Sequence, residues 1–392
     1  MQTAARVTHL PPYLFLSLDQ MVQRERARGR DIINLGIGDP DMPSAPDAVI
    51  ALQQTVNDPE THRYPEALGS KRFRKAITDR YHARFGVDLD PETQVISLIG
   101  SKEGIAHLTW AYAEPGDLVL VPDPAYPVYR AQAEFTGATV YPLPLLPENH
   151  FLPNLGTLDP SILVRSKLLW LNYPNNPTGA VAPRAFYEEA VSLCRQYDIL
   201  LCSDLAYADI GFGGYRPESV LSIPGADEVA IELYSLSKSF NMTGWRIAAA
   251  VGMRSAVLAL GQVKSYLDSG PFTAIQNAAV AVLDTEPDAF IRGLNTIYEK
   301  RLNLALREIR AMGLLGEVPR STFYVWFRTP PGMSSAAAAS FFVQAAGVAL
   351  TPGSAYGVYG EGWLRLSLTV PFVTLEDALM RMRQALSHRD NR

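Results

Sequence analysis

The chain has 392 residues, 47% of them hydrophobic and 19% charged, ordinary proportions for a globular protein and too long for one simple core, so two domains are expected. A formal charge of −5, with no run of five or more like charges, gives no basic field for a polyanion and argues against nucleic acid as a partner. Only two cysteines occur, Cys194 and Cys202, which excludes a disulfide framework and a Cys-x-x-Cys zinc site; reduced core thiols are expected, and no metal.

In chain order, residues 1–44 are expected to form an N-terminal arm and part of a smaller domain. Met1 to Pro12 lacks an apolar run with a cleavage site, and nowhere do 18 apolar residues follow one another, so a cytoplasmic protein without a membrane partner is expected. From about residue 94, short apolar runs alternate with amphipathic stretches, the pattern of βα units around a mostly parallel sheet. Candidate strands are Val95 to Ile99, Leu118 to Val121, Lys167 to Asn172, Ile199 to Ser203, Ala230 to Ser235 and Ala248 to Gly252. Helical patterns between them include Gly104 to Ala113, Pro183 to Tyr197 and Arg254 to Leu267, and together these define a large α/β domain over 45–284. A charged helical pattern then runs from Pro287 to Met312. Phe323 to Arg328, Ala336 to Ala346, Trp363 to Val370 and Leu375 to Leu386 complete a smaller α+β domain over 285–392. Thr329 to Met333 and Thr351 to Gly362, rich in Pro and Gly, read as loops.

Five strings carry chemistry. Gly100-Ser101-Lys102-Glu103-Gly104 joins a strand to a helix, whose first backbone N–H groups make an anion site, so Ser101 and Lys102 are phosphate candidates. The string is not G-x-x-x-x-G-K-[ST], and no G-x-G-x-x-G follows a strand, so nucleotide folds are disfavoured. Asn172-Tyr-Pro-Asn-Asn176-Pro177-Thr-Gly179 also follows a strand, and its two prolines fix a loop from which an Asn amide can bond ligand oxygens. Asp204 closes the apolar run Ile199 to Ser203, at the edge where open α/β sheets bind ligands, with Tyr207 three residues on. A carboxylate there suits a protonated pyridine nitrogen; a helix N-cap is the plainer alternative. In Ser235-Leu-Ser-Lys238-Ser-Phe-Asn-Met-Thr-Gly244-Trp-Arg246, a lysine follows a strand, flanked by the hydroxyls of Ser235 and Ser237. Desolvation and neighbouring cations make such an amine nucleophilic, and the Arg246 fork matches a phosphate; a solvated surface lysine is the alternative. In Trp363-Leu-Arg-Leu-Ser-Leu-Thr-Val370, alternation separates Leu364, Leu366 and Leu368 from Trp363, Arg365 and Ser367. Arg365 therefore points into an enclosed space and needs a partner there, either a substrate carboxylate or a structural acid.

In this order the strings resemble the class I/II aminotransferases of pyridoxal phosphate (PLP) fold type I, and the likeness runs over nearly the whole chain, including Leu35-Gly-Ile-Gly-Asp-Pro-Asp41, Tyr126-Pro-Val-Tyr129 and Asp268-Ser-Gly270. The resemblance implies PLP as cofactor, held as a Schiff base on Lys238. It implies that Tyr126 stacks on the ring, that Asn176 and Tyr207 partner its phenolic oxygen and Asp204 its nitrogen, and that Ser101, Lys102, Ser235, Ser237 and Arg246 hold the phosphate. Gly38, Asn176 and Arg365 are implied for substrate. Tyr64, in Arg63-Tyr-Pro65, is implied to cross a homodimer interface to the partner's phosphate; for Tyr64 and Tyr126 plain aromatic packing is the alternative.

The reaction so implied is a ping-pong transfer of an amino group between an amino acid and a 2-oxo acid, with Lys238 moving the α-proton. Leu10-Pro-Pro-Tyr-Leu-Phe15, Leu98 to His107 and Asn172 to Pro177 look most like the bacterial LL-diaminopimelate aminotransferase branch, with 2-oxoglutarate as acceptor. Tyr64-Pro-Glu-Ala-Leu-Gly69 departs from that branch, whose members carry more polar or aromatic residues at the Ala67 and Leu68 positions, so aspartate, alanine, methionine and aromatic donors stay open. Two other readings remain: a PLP-dependent C–S lyase, and a ligand-sensing regulator, for which the chain offers neither a helix-turn-helix pattern nor a basic surplus.

Overall fold

The computed structural model describes residues 1–8, 10, 14–285 and 287–390; positions 11–13 of the Leu10 to Phe15 string lie outside them. The strands are β1 (Ile33–Asn34), β2 (Val95–Leu98), β3 (Leu118–Asp123), β4 (Thr139–Pro144), β5 (Ser166–Leu171), β6 (Leu200–Asp204), β7 (Ala230–Ser235), β8 (Ala248–Gly252), β9 (Tyr324–Arg328), β10 (Val348–Ala349), β11 (Thr351–Pro352) and β12 (Trp363–Ser367).

Seven of these form one sheet in the order β2-β8-β7-β6-β5-β3-β4. Every pairing is parallel except those of β8, which runs against both β2 and β7. The apolar runs of β2, β5 and β6 are buried on both faces, as a sheet covered by helices on both sides requires. Helices Lys71–Phe85, Arg184–Tyr197 and Thr273–Asp284 pack on one face through Phe73, Ile77, Phe186, Val191 and Ala278. Helices Ser101–Tyr112, Val128–Thr136 and Arg254–Ser265 cover the other through Ile105, Leu108, Val128, Ala133 and Leu260. This is the expected α/β class with a largely parallel sheet. Strand β4 was not foreseen: Pro142 and Pro144 mask it, and they are tolerated because β4 is an edge strand. Cys194 and Cys202 are buried free thiols, and burial pushes both well up from the usual thiol range.

In the C-terminal third, β11, β12 and β9 form an antiparallel sheet backed by helices Pro287–Ala311, Ser335–Ala346 and Phe372–Asp390. Leu364, Leu366 and Leu368 enter that core, as alternation required, while Trp363 stacks on Trp326 on the other side. The stretch Thr351 to Gly362, expected as loop, contains β11. Strand β1 pairs in parallel with β10, and Leu18, Val22 and Ile32 pack with Val343 and Ala349, which attaches the N-terminal segment to this unit.

Candidate active site

Strands β2, β5, β6 and β7 point the same way, so their C-terminal ends lie along one edge of the sheet, and each delivers a turn to that edge. After β2, Gly100 (φ 81°) leads into the helix that begins at Ser101, and the Glu103 carboxylate accepts from the Ile99 amide at 2.6 Å to fix the entry. A Cβ on Gly100 would lie 2.0 Å from the Arg246 guanidinium, so the position accepts no side chain while Arg246 stays where it is. After β5, Asn172 ties two turns together: its amide donates to the Asp204 carbonyl at 2.7 Å, and its side-chain oxygen accepts from the Asn176 amide at 2.8 Å. Asn175 instead bonds within its own turn, to Asn172 and Thr178. After β7, the Ser235 hydroxyl caps the turn Leu236–Ser239 that carries Lys238.

These turns enclose a cavity of about 480 Å³ lined by Gly38, Ser101, Lys102, Tyr126, Asn176, Asp204, Tyr207, Ser235, Ser237, Lys238 and Arg246, together with Tyr129, Asn172, Thr243 and Tyr324 among others. One residue expected at the site, Arg365, does not line it. Tyr64, expected to reach a partner's site, is 91% exposed. Arg365 is fully buried behind the wall, donating to the Asn176 side-chain oxygen at 2.7 Å and to the Gly36 carbonyl at 2.6 Å, with its guanidinium 3.9 Å from the Tyr324 ring centre and 5.0 Å from that of Tyr356. Ala67 and Leu68 do not reach the cavity either; Leu68 packs on the sheet core and its carbonyl accepts from Ser97.

The electrostatics match the geometry. Burial lowers the Lys238 amine to about 8, and Arg246, Arg365 and Lys102 push it the same way against the pull of Asp39; its Nζ donates to the Gly38 carbonyl at 3.0 Å. Burial raises the Asp204 carboxyl to about 6, opposed by the Tyr129 hydroxyl, which donates to Oδ2 at 2.6 Å. Its Oδ1 is buried with no hydrogen-bond partner among the described residues, and the same holds for the Ser101 hydroxyl. The Tyr207 hydroxyl lies 3.2 Å from that of Tyr324, and burial pushes it well above the usual phenol range. Sequence reasoning missed Tyr129, Asn172 and Tyr324. Asn172 and Tyr129 stood inside strings already singled out, without a role; Tyr324 carries no local signal, because only the fold brings it to the cavity.

A lysine, a buried carboxylate and an arginine delivered by neighbouring strand ends, beside a smaller antiparallel unit, define the PLP-dependent transferases of fold type I. Residues 30–382 match the family model of class I and II aminotransferases. The chain belongs to that family, which implies PLP as its cofactor and small amino and oxo acids as its substrates. It is 47% identical to an LL-diaminopimelate aminotransferase of Syntrophobacter fumaroxidans over 97% of this chain and 98% of that one. Among solved structures, substrate-bound BacF from Bacillus subtilis superposes with a TM-score of 0.95 at 35% identity, covering 98% of each chain. A single-mutant aspartate aminotransferase of Thermus thermophilus does so at 0.90 and 29%, over 98% of this chain and all of that one.

Proposed function

We propose that the chain transfers the amino group of a long diamino acid, LL-2,6-diaminopimelate, to 2-oxoglutarate, using PLP bound at Lys238. The observation that carries the cofactor assignment is the pair of orphaned buried oxygens, Asp204 Oδ1 and Ser101 Oγ, in one cavity with an amine lowered to about 8. A buried carboxylate oxygen without a donor is costly, and a protonated ring nitrogen supplies the missing donor. The Ser101 hydroxyl faces the matching need at the phosphate end, beside the helix N-terminus, Lys102, Ser235, Ser237 and Arg246. The donor set therefore fits PLP.

When bound, PLP supplies an electron sink that acidifies the α-proton of an amino acid. Tyr126 would cover the ring, Asn176 and Tyr207 would hold its phenolic oxygen, and Arg365, which sits on Asn176 behind the cavity wall, would hold the α-carboxylate of the substrate together with Asn176 and the Gly38 backbone. Lys238 Nζ, with a pKa near neutrality, takes and returns the α-proton. Residues 45–284 and 285–392, the latter with 1–44, act as the two domains; Tyr64 reaches across a homodimer to the partner's phosphate; the compartment is the cytoplasm. The likeness to the LL-diaminopimelate aminotransferase of S. fumaroxidans supports the donor.

Reconstitution with PLP tests the reading. Lys238→Ala should lose the visible absorbance of the lysine-bound cofactor and nearly all turnover; full transaminase activity in that variant would refute it. A panel of amino donors with 2-oxoglutarate, including aspartate, alanine and aromatic amino acids, tests the substrate, and incubation with donor alone separates transfer from elimination, since only a lyase would keep releasing ammonia.

A further inference from the structure

Outside the cavity, a set of buried charged and hydroxyl groups centres on Asp209, whose side chain is 1% exposed. It lies in the turn after β6, two residues beyond Tyr207. Its Oδ1 accepts from the Arg80 guanidinium at 2.7 Å, and its Oδ2 accepts from the Tyr234 hydroxyl at 2.8 Å and the Ser239 hydroxyl at 2.7 Å. Tyr234 belongs to β7, and Ser239 directly follows Lys238 in the turn that β7 delivers. One carboxylate thus holds three elements: the turn bearing Tyr207, the strand leading to Lys238, and the residue next to Lys238. Its backbone carbonyl accepts from Asn295, and Arg80 also pairs with Asp288 at 2.8 Å, so the first turns of the long helix Pro287–Ala311 lean on the same point. Burial alone would raise the Asp209 carboxyl, but Arg80, Ser239, Arg84 and Tyr234 outweigh it and hold it below the usual range, so it stays ionised. Neither Asp209 nor Ser239 lines the cavity.

A lysine stem has four rotatable carbons, so the placement of its amine depends on how firmly its own backbone is anchored. The anchor on one side is the Ser235 cap; on the other it is the Ser239 hydroxyl. We infer that Asp209 is a positioning residue for the amino-transfer site, keeping Lys238 in register with Tyr207 and Asp204 through the Ser239 hydroxyl. The inference rests on the reading of Lys238 given above.

The test uses the PLP-loaded enzyme with Ser239→Ala, which removes the hydroxyl and leaves all the charges in place, and Ser239→Thr, which restores it. Asp209→Asn is the direct variant, but it leaves Arg80 short of a buried partner and can fail to fold, so Ser239 carries the decision. Ser239→Ala is expected to lower kcat by roughly 10-fold to 100-fold, the scale of a misplaced reacting group, with KM for the amino donor within about twofold. The pH titration of the visible absorbance of the lysine-bound cofactor should shift in Ser239→Ala and return in Ser239→Thr. A Ser239→Ala enzyme that melts lower but keeps wild-type kcat and an unshifted titration overturns the inference, because Asp209 would then serve stability alone. Failure of the underlying reading has a separate signature, since the unsubstituted protein would then take up no PLP.

Discussion

The Tyr129 hydroxyl donates a 2.6 Å hydrogen bond to Oδ2 of Asp204, while Oδ1 of the same carboxylate has no partner among the described residues. Half of this carboxylate is satisfied by the protein and half is left for a guest. Without that guest the charged form is disfavoured, which is why burial carries the group up to about 6 despite the tyrosine. A carboxyl raised in the folded state adds stability below its ordinary value near 3.8 and loses it as pH rises through about 6. The cofactor-free protein with Asp204→Asn should therefore gain on the unsubstituted protein between pH 4 and 7, by up to about 3 kcal/mol. Urea titrations at several pH values read this directly, and parallel pH profiles for the two proteins would count against it.

The lowered amine of Lys238 has its own signature. With a pKa of about 8, about one amine in ten is neutral at pH 7, against about one in three thousand for an ordinary lysine. In the cofactor-free protein, acetylation of Lys238 followed by mass spectrometry should accelerate up to about pH 8 and level off above it. A rate still climbing steeply beyond pH 10 would mark a solvated lysine.

Tyr324 touches two functional groups at once, with its hydroxyl on Tyr207 and its ring under Arg365. It also fixes the identity of residue 38, since a Cβ there would lie 1.9 Å from the Tyr324 hydroxyl. Tyr324→Phe keeps the ring, so KM for the amino donor should stay within about twofold. Tyr324→Leu loses the stacked face, worth about 1–2 kcal/mol in a desolvated site, and KM should rise about 10-fold. Equal KM values for the two variants would mean that the ring does not hold Arg365 in place.

Lys264 is buried at 1% side-chain exposure and its ammonium bonds the carboxylates of Glu103 and Asp268, with His107 alongside Glu103 at 3.0 Å. Glu103, His107 and Asp268 lie close enough to suit a metal, but the protein's own ammonium already supplies a cation there. Lys264→Met strands two partly buried carboxylates and should cost about 3 kcal/mol of stability, read as a fall in denaturation midpoint. Because Glu103 also holds the entry to the helix at Ser101, affinity for PLP should weaken as well.

The strand-end chemistry was legible because it is local. Lys238, Asp204 and Asn176 each follow an apolar run, and in a parallel sheet that placement alone sends them to one edge. Arg365 was legible from alternation, which gave its face correctly, although it sits behind the cavity wall on Asn176 rather than on the lining. What sequence could not give is which tyrosines converge. Tyr129 lies on a helix, and Tyr324 on a strand of the other unit; each looks like core packing until the sheet order is known. Strand β4 was hidden by prolines that only an edge position permits.

The segment around β1 gives the amine of Lys238 an acceptor at Gly38 and the guanidinium of Arg365 an acceptor at Gly36, and β1 itself is paired with β10. The contact between Arg365 and Gly36 spans 329 positions of chain. During synthesis the earliest of these residues to leave the ribosome must wait for some of the last, so the central sheet can form while its catalytic edge is still open on one side.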